Sequence, residues 1–130
     1  NPSTVATAIR IGNPASSDLA KEAVNDSQGE FLKVSDEEII SAQSLIAKHE
    51  GIFCEPASAA SFAGLLKKIN NGLDVKNKKI VCILTGNGLK DPENAQKYLK
   101  SKIIKTSSSS ESIKKAILSG SSTNIFKRMF

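Results

Sequence analysis

Residues 79–92 read K-I-V-C-I-L-T-G-N-G-L-K-D-P, and this stretch decides the predicted fold. The unbroken apolar run over residues 80–84 is typical of a strand that is buried on both faces of a parallel sheet. Gly86 and Gly88 follow it, and glycine lets the backbone turn sharply or lie close to a ligand. Because ligands of open α/β sheets bind beyond the carboxyl ends of the strands, Thr85 is the first candidate for a ligand contact.

The preceding sequence predicts helices that alternate with strands. A short strand is predicted for residues 30–34, and it is followed by Ser35 and Glu38 at the spacing of a capping box, which begins a helix. Gly51 is a stop signal for this helix, and Pro56 suits the first turn of the next one. Alternating strands and helices indicate an α/β domain with a mostly parallel sheet flanked by helices.

The remaining elements have weaker patterns. Capping residues and apolar periodicity predict further helices over residues 3–11, 16–26, 93–100 and 111–118, and an edge strand at residues 103–104. We expect residues 1–119 to form the α/β part and residues 120–130 to form a carboxyl-terminal tail without a readable period.

Composition and charge restrict the class of protein. The chain has 130 residues, 39% hydrophobic and 24% charged, which suits one globular domain with a real core. Its formal net charge is +5, but the lysines are scattered and no basic run alternates with aromatic residues, so no nucleic-acid partner is expected. No apolar stretch approaches the length of about 20 residues that crosses a bilayer, so no membrane partner is expected either.

The two cysteines and the first residues add two expectations. Cys54 and Cys82 lie in apolar contexts without a metal-ligand spacing, which favours free thiols in a reducing, cytoplasmic compartment; a disulfide between them is the alternative. The chain opens on N-P-S-T-V-A-T-A-I-R, without an initiator methionine or a signal peptide, so we expect a piece of a longer protein.

Several kinds of active site have no counterpart in this sequence. It contains neither a G-x-S-x-G nucleophile motif nor H-E-x-x-H, and T-G-N-G-L-K lacks the spacing of a phosphate loop. The Thr85 hydroxyl can donate one hydrogen bond and does not ionise near neutral pH, so it suits a neutral acceptor such as an unprotonated ring nitrogen. The residues alone favour a simpler role for this hydroxyl, as a cap of the turn.

Four separated stretches together resemble the threonine synthase family. They are T-V-A-T-A-I-R-I-G-N-P (residues 4–14), F-L-K-V-S-D-E-E-I (31–39), F-C-E-P-A-S-A-A-S (53–61) and L-T-G-N-G-L-K-D-P (84–92). They follow the family's order in its carboxyl-terminal part, and the resemblance covers about residues 4–92. The glycine turn and the L-K-D-P after it favour threonine synthase over the related dehydratases.

The resemblance implies the carboxyl-terminal part of a tryptophan-synthase-β-like enzyme that uses pyridoxal 5'-phosphate. The implied reaction is that of a carbon-oxygen lyase acting on phosphate, and it converts O-phospho-L-homoserine and water to L-threonine and phosphate. By this resemblance, Thr85 is expected to contact the pyridine nitrogen of the cofactor and Gly86 to lie close to its ring. Glu55 is expected near the edge of the cofactor, and Ala6 near the pocket.

The resemblance also implies that parts of the enzyme lie outside this chain. The Schiff-base lysine, the glycine-rich loop that binds the cofactor phosphate and most of the substrate-phosphate site belong to the amino-terminal and middle parts of the family. We therefore expect the 130-residue chain to be inactive alone and to have the rest of the enzyme as its partner, with a homodimer left open. The alternative is a non-catalytic α/β ligand-binding or regulatory module derived from the same fold.

Overall fold

The computed structural model describes residues 1–98 and 104–120. The chain divides into two compact units, Asn1–Leu99 and Lys100–Phe130. The first unit contains α1 (Ser17–Asp26), α2 (Asp36–Glu50), α3 (Pro56–Asn70), α4 (Pro92–Tyr98) and two short 3₁₀ turns, Thr7–Ile9 and Gly88–Lys90, and the second contains α5 (Ser110–Gly120). None of the helices in the described ranges is both long and apolar enough to cross a membrane.

The start of α2 is determined by the predicted capping box. The Ser35 hydroxyl accepts the Glu38 N–H at 3.2 Å, and the Glu38 carboxylate accepts the Ser35 N–H at 2.6 Å. This backbone hydrogen bond from Ser35, together with the Lys67 ammonium, lowers the pKa of Glu38 below its ordinary value. The helix ends at Gly51, whose φ of 68° is the left-handed conformation that glycine adopts without strain.

Helix α3 begins at Pro56, as predicted, and packs against α2. Proline is tolerated in a first helical turn because its missing N–H would have no partner within the helix there. The two helices and the short segments beside them enclose one hydrophobic core, formed by Ala6, Ile39, Ala42, Ile46, Cys54, Ala59 and Ala63. The buried Gln43 amide donates to the Cys54 carbonyl at 2.7 Å and ties α2 to the segment before α3.

The structure does not confirm the predicted sheet. The described residues form no β-strand, and their one isolated bridge is antiparallel, between Cys54 and Asn87. The strand predictions for residues 30–34 and 80–84 are therefore wrong for the described structure. The physical reason is a missing second layer: Val81 is 85% exposed and Ile83 71% exposed, so the apolar run is not covered on both faces as a central strand requires.

The first residues do not form the predicted helix over residues 3–11 and contain only the 3₁₀ turn Thr7–Ile9. Asp36 accounts for this difference because its carboxylate accepts the Thr4 hydroxyl at 2.6 Å and the Val5 N–H at 3.1 Å. These contacts hold the segment in a non-helical conformation against the start of α2.

The other helix predictions are confirmed within one or two residues. The prediction over residues 16–26 corresponds to α1, and that over 111–118 to α5. Helix α4 begins one residue before the predicted start, and the end of that prediction lies outside the described residues. Of the predicted edge strand, residue 103 lies outside the described residues and Ile104 is not in a strand; nearly all of the tail also lies outside them. The division into residues 1–119 and 120–130 stays a prediction.

Candidate functional site

The candidate site is centred on residues 85–88, which we call the glycine turn. Two backbone hydrogen bonds join it to the residues just before α3: the Glu55 N–H donates to the Gly86 carbonyl, and the Gly88 N–H donates to the Phe53 carbonyl, both at 3.0 Å. Main-chain contacts therefore hold the glycine turn beside the first turn of α3, and these contacts do not depend on side chains.

Ser58, in the first turn of α3, adds side-chain contacts to the same turn. Its side chain is buried, with 1% exposure, and its hydroxyl oxygen accepts the Gly86 N–H at 2.7 Å. The same oxygen lies 3.1 Å from the Thr85 hydroxyl and 3.2 Å from the Gly86 carbonyl oxygen. Sequence reasoning missed Ser58; the available signal was a hydroxyl in the first turn of the helix that begins at Pro56.

Both glycines of the turn are required by side chains of this chain. A Cβ atom on Gly86 would lie 2.0 Å from the Glu55 Oε1 atom, and one on Gly88 would lie 2.5 Å from the Phe53 ring. Real Cβ atoms do not approach other atoms so closely, because close-packed interiors have no space for an extra methyl group. In this structure the Glu55 carboxylate fills the space beside Gly86.

Glu55 combines burial with charge. Its side chain is 4% exposed, and Lys90 Nζ, on a largely exposed side chain, lies 3.6 Å from Oε1. A buried carboxylate is costly unless a cation or a hydrogen-bond donor compensates it. The ion pair therefore links the segment before α3 to the 3₁₀ turn that follows the glycine turn, and Glu55 lies at the edge of the site.

Thr85 is exposed at the mouth of the glycine turn, and its hydroxyl contacts Ser58. A hydroxyl has one proton to donate and two lone pairs, so one contact leaves Thr85 able to make another. The turn-capping interpretation and the ligand-contact interpretation are therefore compatible. The neutral hydroxyl suits an uncharged acceptor at this position.

The structure brings Thr85, Gly86 and Glu55 together and places Ala6 in the core. Ala6 is fully buried among the residues that include Cys54 and Ala59, and its N–H donates to the Thr4 hydroxyl at 3.2 Å. Its predicted position near a pocket stays a prediction, as do the cofactor contacts of the other three residues.

A second polar cluster lies where the L-K-D-P stretch meets the first residues. Asp91 accepts the Thr7 hydroxyl at 2.7 Å and the Asn94 side-chain amide at 2.6 Å, and that amide also donates to the Val5 carbonyl at 2.9 Å. The hydrogen bond from the Thr7 hydroxyl has the largest effect in lowering the pKa of Asp91. Hydrogen bonds from Asn94 and the positive charge of Arg10 lower this pKa further. This cluster lines a cleft of about 420 Å³ and ties α4 to the amino-terminal segment.

Cys54 lies in the segment that pairs with Asn87 of the glycine turn, whereas Cys82 and His49 are not part of the turn. Cys54 and Cys82 are free thiols, as predicted, and burial raises the pKa of Cys54. His49 lies exposed in the last turn of α2. In the described part of the chain, no group of three or more His, Cys, Asp or Glu side chains could hold a metal ion.

Comparison with known proteins finds several threonine synthases that are similar to this chain. The threonine synthase of Mycobacterium tuberculosis is 56% identical over 101 residues, which cover 78% of this chain and 28% of that protein. That of Methanocaldococcus jannaschii is 55% identical over 95 residues, 73% of this chain and 24% of the relative. That of Bacillus sp. is 51% identical over 113 residues, 87% of this chain and 32% of the relative. The matched part of the chain thus spans 24% to 32% of the length of these relatives.

The relatives agree with a family model that covers the same part of the chain. The model described as "Pyridoxal-phosphate dependent enzyme" matches residues 1–86, which include α1 to α3 and the first half of the glycine turn. The resemblance predicted from the four motifs is thereby confirmed, and the chain belongs to the family of pyridoxal-phosphate dependent enzymes.

Proposed function

We propose that this chain is the carboxyl-terminal part of a threonine synthase. The complete enzyme converts O-phospho-L-homoserine and water to L-threonine and phosphate with pyridoxal 5'-phosphate, as a carbon-oxygen lyase acting on phosphate. The identities of 51% to 56% with three threonine synthases support this reaction within the wider family. The comparisons give no support to the alternative of a non-catalytic module.

The observation that carries the proposal is the position of the Thr85 hydroxyl. It is exposed at the mouth of the glycine turn, is contacted by Ser58 and has a hydrogen-bonding position left. A hydroxyl does not ionise near neutral pH, so it complements a neutral pyridine nitrogen, whereas a carboxylate there would favour a protonated one. The residues present therefore fit the nitrogen end of the cofactor.

Each part of the site has a task in this proposal. Bound pyridoxal phosphate supplies an electron sink for the substrate, and the protein tunes that sink through the groups around the ring. Thr85 donates its proton as a hydrogen bond to the ring nitrogen and so fixes the orientation of the ring. The hydrogen bonds with the Phe53 carbonyl, the Glu55 N–H and the Ser58 hydroxyl hold the glycine turn in place, so that Thr85 needs no rearrangement when the ring binds.

The other end of the cofactor is assigned to protein outside this chain. We propose that the lysine that binds the cofactor covalently, the loop that binds its phosphate and most of the substrate-phosphate site are supplied by the remainder of the enzyme. The isolated chain should therefore be inactive. Because the aldehyde forms reversible imines with exposed lysines, the 130-residue chain mixed with pyridoxal phosphate should keep no visible band after dialysis, and a band that survives dialysis would contradict this division.

We further propose a cytoplasmic enzyme whose additional contacts are with the rest of its own chain, in a monomer or a homodimer. Free Cys54 and Cys82 thiols suit a reducing compartment. Sedimentation of the complete enzyme distinguishes the two assembly states.

The test of the proposed reaction uses the complete enzyme, expressed from the full reading frame that contains this chain. Incubation with O-phospho-L-homoserine should release phosphate and L-threonine in equal amounts, and removal of the cofactor should abolish both. O-phospho-L-serine, which is shorter by one methylene group, serves as the matched control and should react much more slowly. A reading frame without an upstream part, or cofactor-dependent turnover only with other amino acids, would contradict the proposal.

A further inference from the structure

The Ser58 hydroxyl has three oxygen and nitrogen neighbours but only one proton. Its oxygen accepts the Gly86 N–H at 2.7 Å, so the proton must go to one of the two remaining neighbours. These are the Thr85 hydroxyl oxygen at 3.1 Å and the Gly86 carbonyl oxygen at 3.2 Å. How this proton is placed decides which hydrogen bonds Thr85 offers to a ligand.

The two neighbours differ in how far they are already satisfied. The Gly86 carbonyl accepts the Glu55 N–H at 3.0 Å, whereas Ser58 is the hydrogen-bond neighbour that the structure gives for the Thr85 hydroxyl. Donation from Ser58 to Thr85 therefore supplies an oxygen that lacks a donor, and donation to Gly86 would add a second donor to an oxygen that has one.

We propose that Ser58 is a positioning residue: it donates to the Thr85 oxygen and thereby leaves the Thr85 proton to be donated outward to the neutral pyridine nitrogen of the cofactor. This inference rests on the proposed function, because that function supplies the ligand. Ser58 is buried at the first turn of α3 and does not itself face the ligand. Its effect on the cofactor passes through Thr85.

The reverse arrangement would have the opposite consequence. If Thr85 donated to Ser58, it would present lone pairs outward and would favour a protonated ring nitrogen. The Ser58 hydroxyl thus sets the direction of a short relay that runs from Ser58 to Thr85 and from Thr85 to the ring. It also gives a reason for a hydroxyl that is buried in the first turn of α3.

The test measures the dissociation constant of pyridoxal phosphate from the complete apoenzyme, by absorbance titration. Ser58→Ala should weaken binding about five- to tenfold, the effect of losing one hydrogen bond. Thr85→Val should weaken it at least as much. In the Thr85→Val background, Ser58→Ala should cause less than a twofold further change, because the residue through which Ser58 acts is gone.

A second serine of α3 provides the matched control. The Ser61 hydroxyl donates to the Ser58 and Ile83 carbonyls but not to the glycine turn, so Ser61→Ala should change the dissociation constant less than twofold. Ser58→Cys retains a small side chain with a weak donor and should give an intermediate affinity, and it replaces Ser58→Ala in the cycle if the alanine variant does not fold.

The outcomes separate this inference from the proposed function. If the unmodified apoenzyme does not bind pyridoxal phosphate, the proposed function fails. If it binds but Ser58→Ala and Ser58→Cys bind equally well, the relay is wrong. If the Ser58 substitution weakens binding equally in both Thr85 backgrounds, Ser58 acts on the fold and not through Thr85, and the inference is overturned.

Discussion

The two halves of the stretch over residues 80–88 differ in how they are held. The glycine turn, residues 85–88, accepts a hydrogen bond from the Glu55 N–H and donates hydrogen bonds to the Phe53 carbonyl and the Ser58 hydroxyl. The apolar run over residues 80–84 has Leu84 packed against the core, while Val81 and Ile83 are largely exposed. Contacts within this chain thus fix the conformation of the glycine turn, whereas they leave most of the apolar run exposed to solvent.

The two halves differ because the glycine turn depends on a few nearby segments, whereas a buried strand depends on partners elsewhere in a sheet. The glycine turn needs only the residues before and within α3, which are present. A strand buried on both faces needs neighbouring strands and a second layer, and the described residues supply neither. We therefore expect substitutions to lower the free energy of unfolding of this chain by different amounts in the glycine turn, the cap of α2, the Asp91 cluster and the apolar run.

The largest effect is expected from Gly88→Ala. The new Cβ atom would lie 2.5 Å from the Phe53 ring, so the ring or the turn must move, and overpacking of this kind costs about 1–3 kcal/mol. The measurement is the free energy of unfolding of the full chain in urea. Gly12→Ala is the control, because its Cβ would approach no atom closer than 3.4 Å. Equal stability of the two variants would show that the turn is not held tightly.

Loss of the capping box of α2 should lower the free energy of unfolding somewhat less than Gly88→Ala does. Ser35→Ala removes the acceptor of the Glu38 N–H and should lower the free energy of unfolding by about 1 kcal/mol. Ser44→Ala, at an exposed position inside the same helix, should be neutral or slightly stabilising, because alanine has the higher helix propensity. A loss of the same size in both variants would mean that the cap does not contribute.

A smaller effect is expected from pH through Asp91. Its pKa is lowered in the folded chain, so its contribution to stability is present above its unfolded pKa and is lost as pH falls through the folded value. In urea unfolding from pH 7 down to about 2, Asp91→Asn should reduce the acid-induced loss of stability. Asp18→Asn, which changes a carboxylate in an exposed ion pair, should leave that pH dependence nearly unchanged. Identical pH curves for Asp91→Asn and the unmodified chain would contradict the assignment.

The smallest effect on the chain is expected in the apolar run. Val81→Thr changes a side chain that is 85% exposed and should alter the free energy of unfolding of the 130-residue chain by less than about 0.5 kcal/mol. In the complete enzyme the same change should cost more, because a covered valine would bring a hydroxyl into an apolar layer. A large loss in the chain alone would show that its own residues already cover the run.

The same division explains what the sequence could predict. Helices α2 and α3 were predictable because Ser35, Glu38, Gly51 and Pro56 act on neighbours within a few residues. The lack of strands in the described residues was not predictable, because strand pairing depends on segments that are distant in the sequence. The amino-terminal helix prediction failed because Asp36, more than 30 residues away, satisfies the Thr4 and Val5 groups.

The candidate site was predictable to the same extent. Thr85 stood out because it is the first polar residue after an apolar run, and the two glycines marked the turn. The partner of its hydroxyl was missed because Ser58 is 27 residues away in the sequence, although it lies within the F-C-E-P-A-S-A-A-S stretch. The reason for Gly86 was also missed, since only coordinates place the Glu55 carboxylate against it.

The proposed contact between Thr85 and a neutral ring nitrogen is tested most directly by the cofactor absorbance spectrum of the complete enzyme with threonine, serine or aspartate at position 85. Thr85→Ser should retain the spectrum, because serine keeps the hydroxyl. Thr85→Asp should shift it and impair turnover, because a carboxylate stabilises the protonated ring. Identical spectra and equal turnover in all three forms would remove Thr85 from the site and contradict the proposed contact.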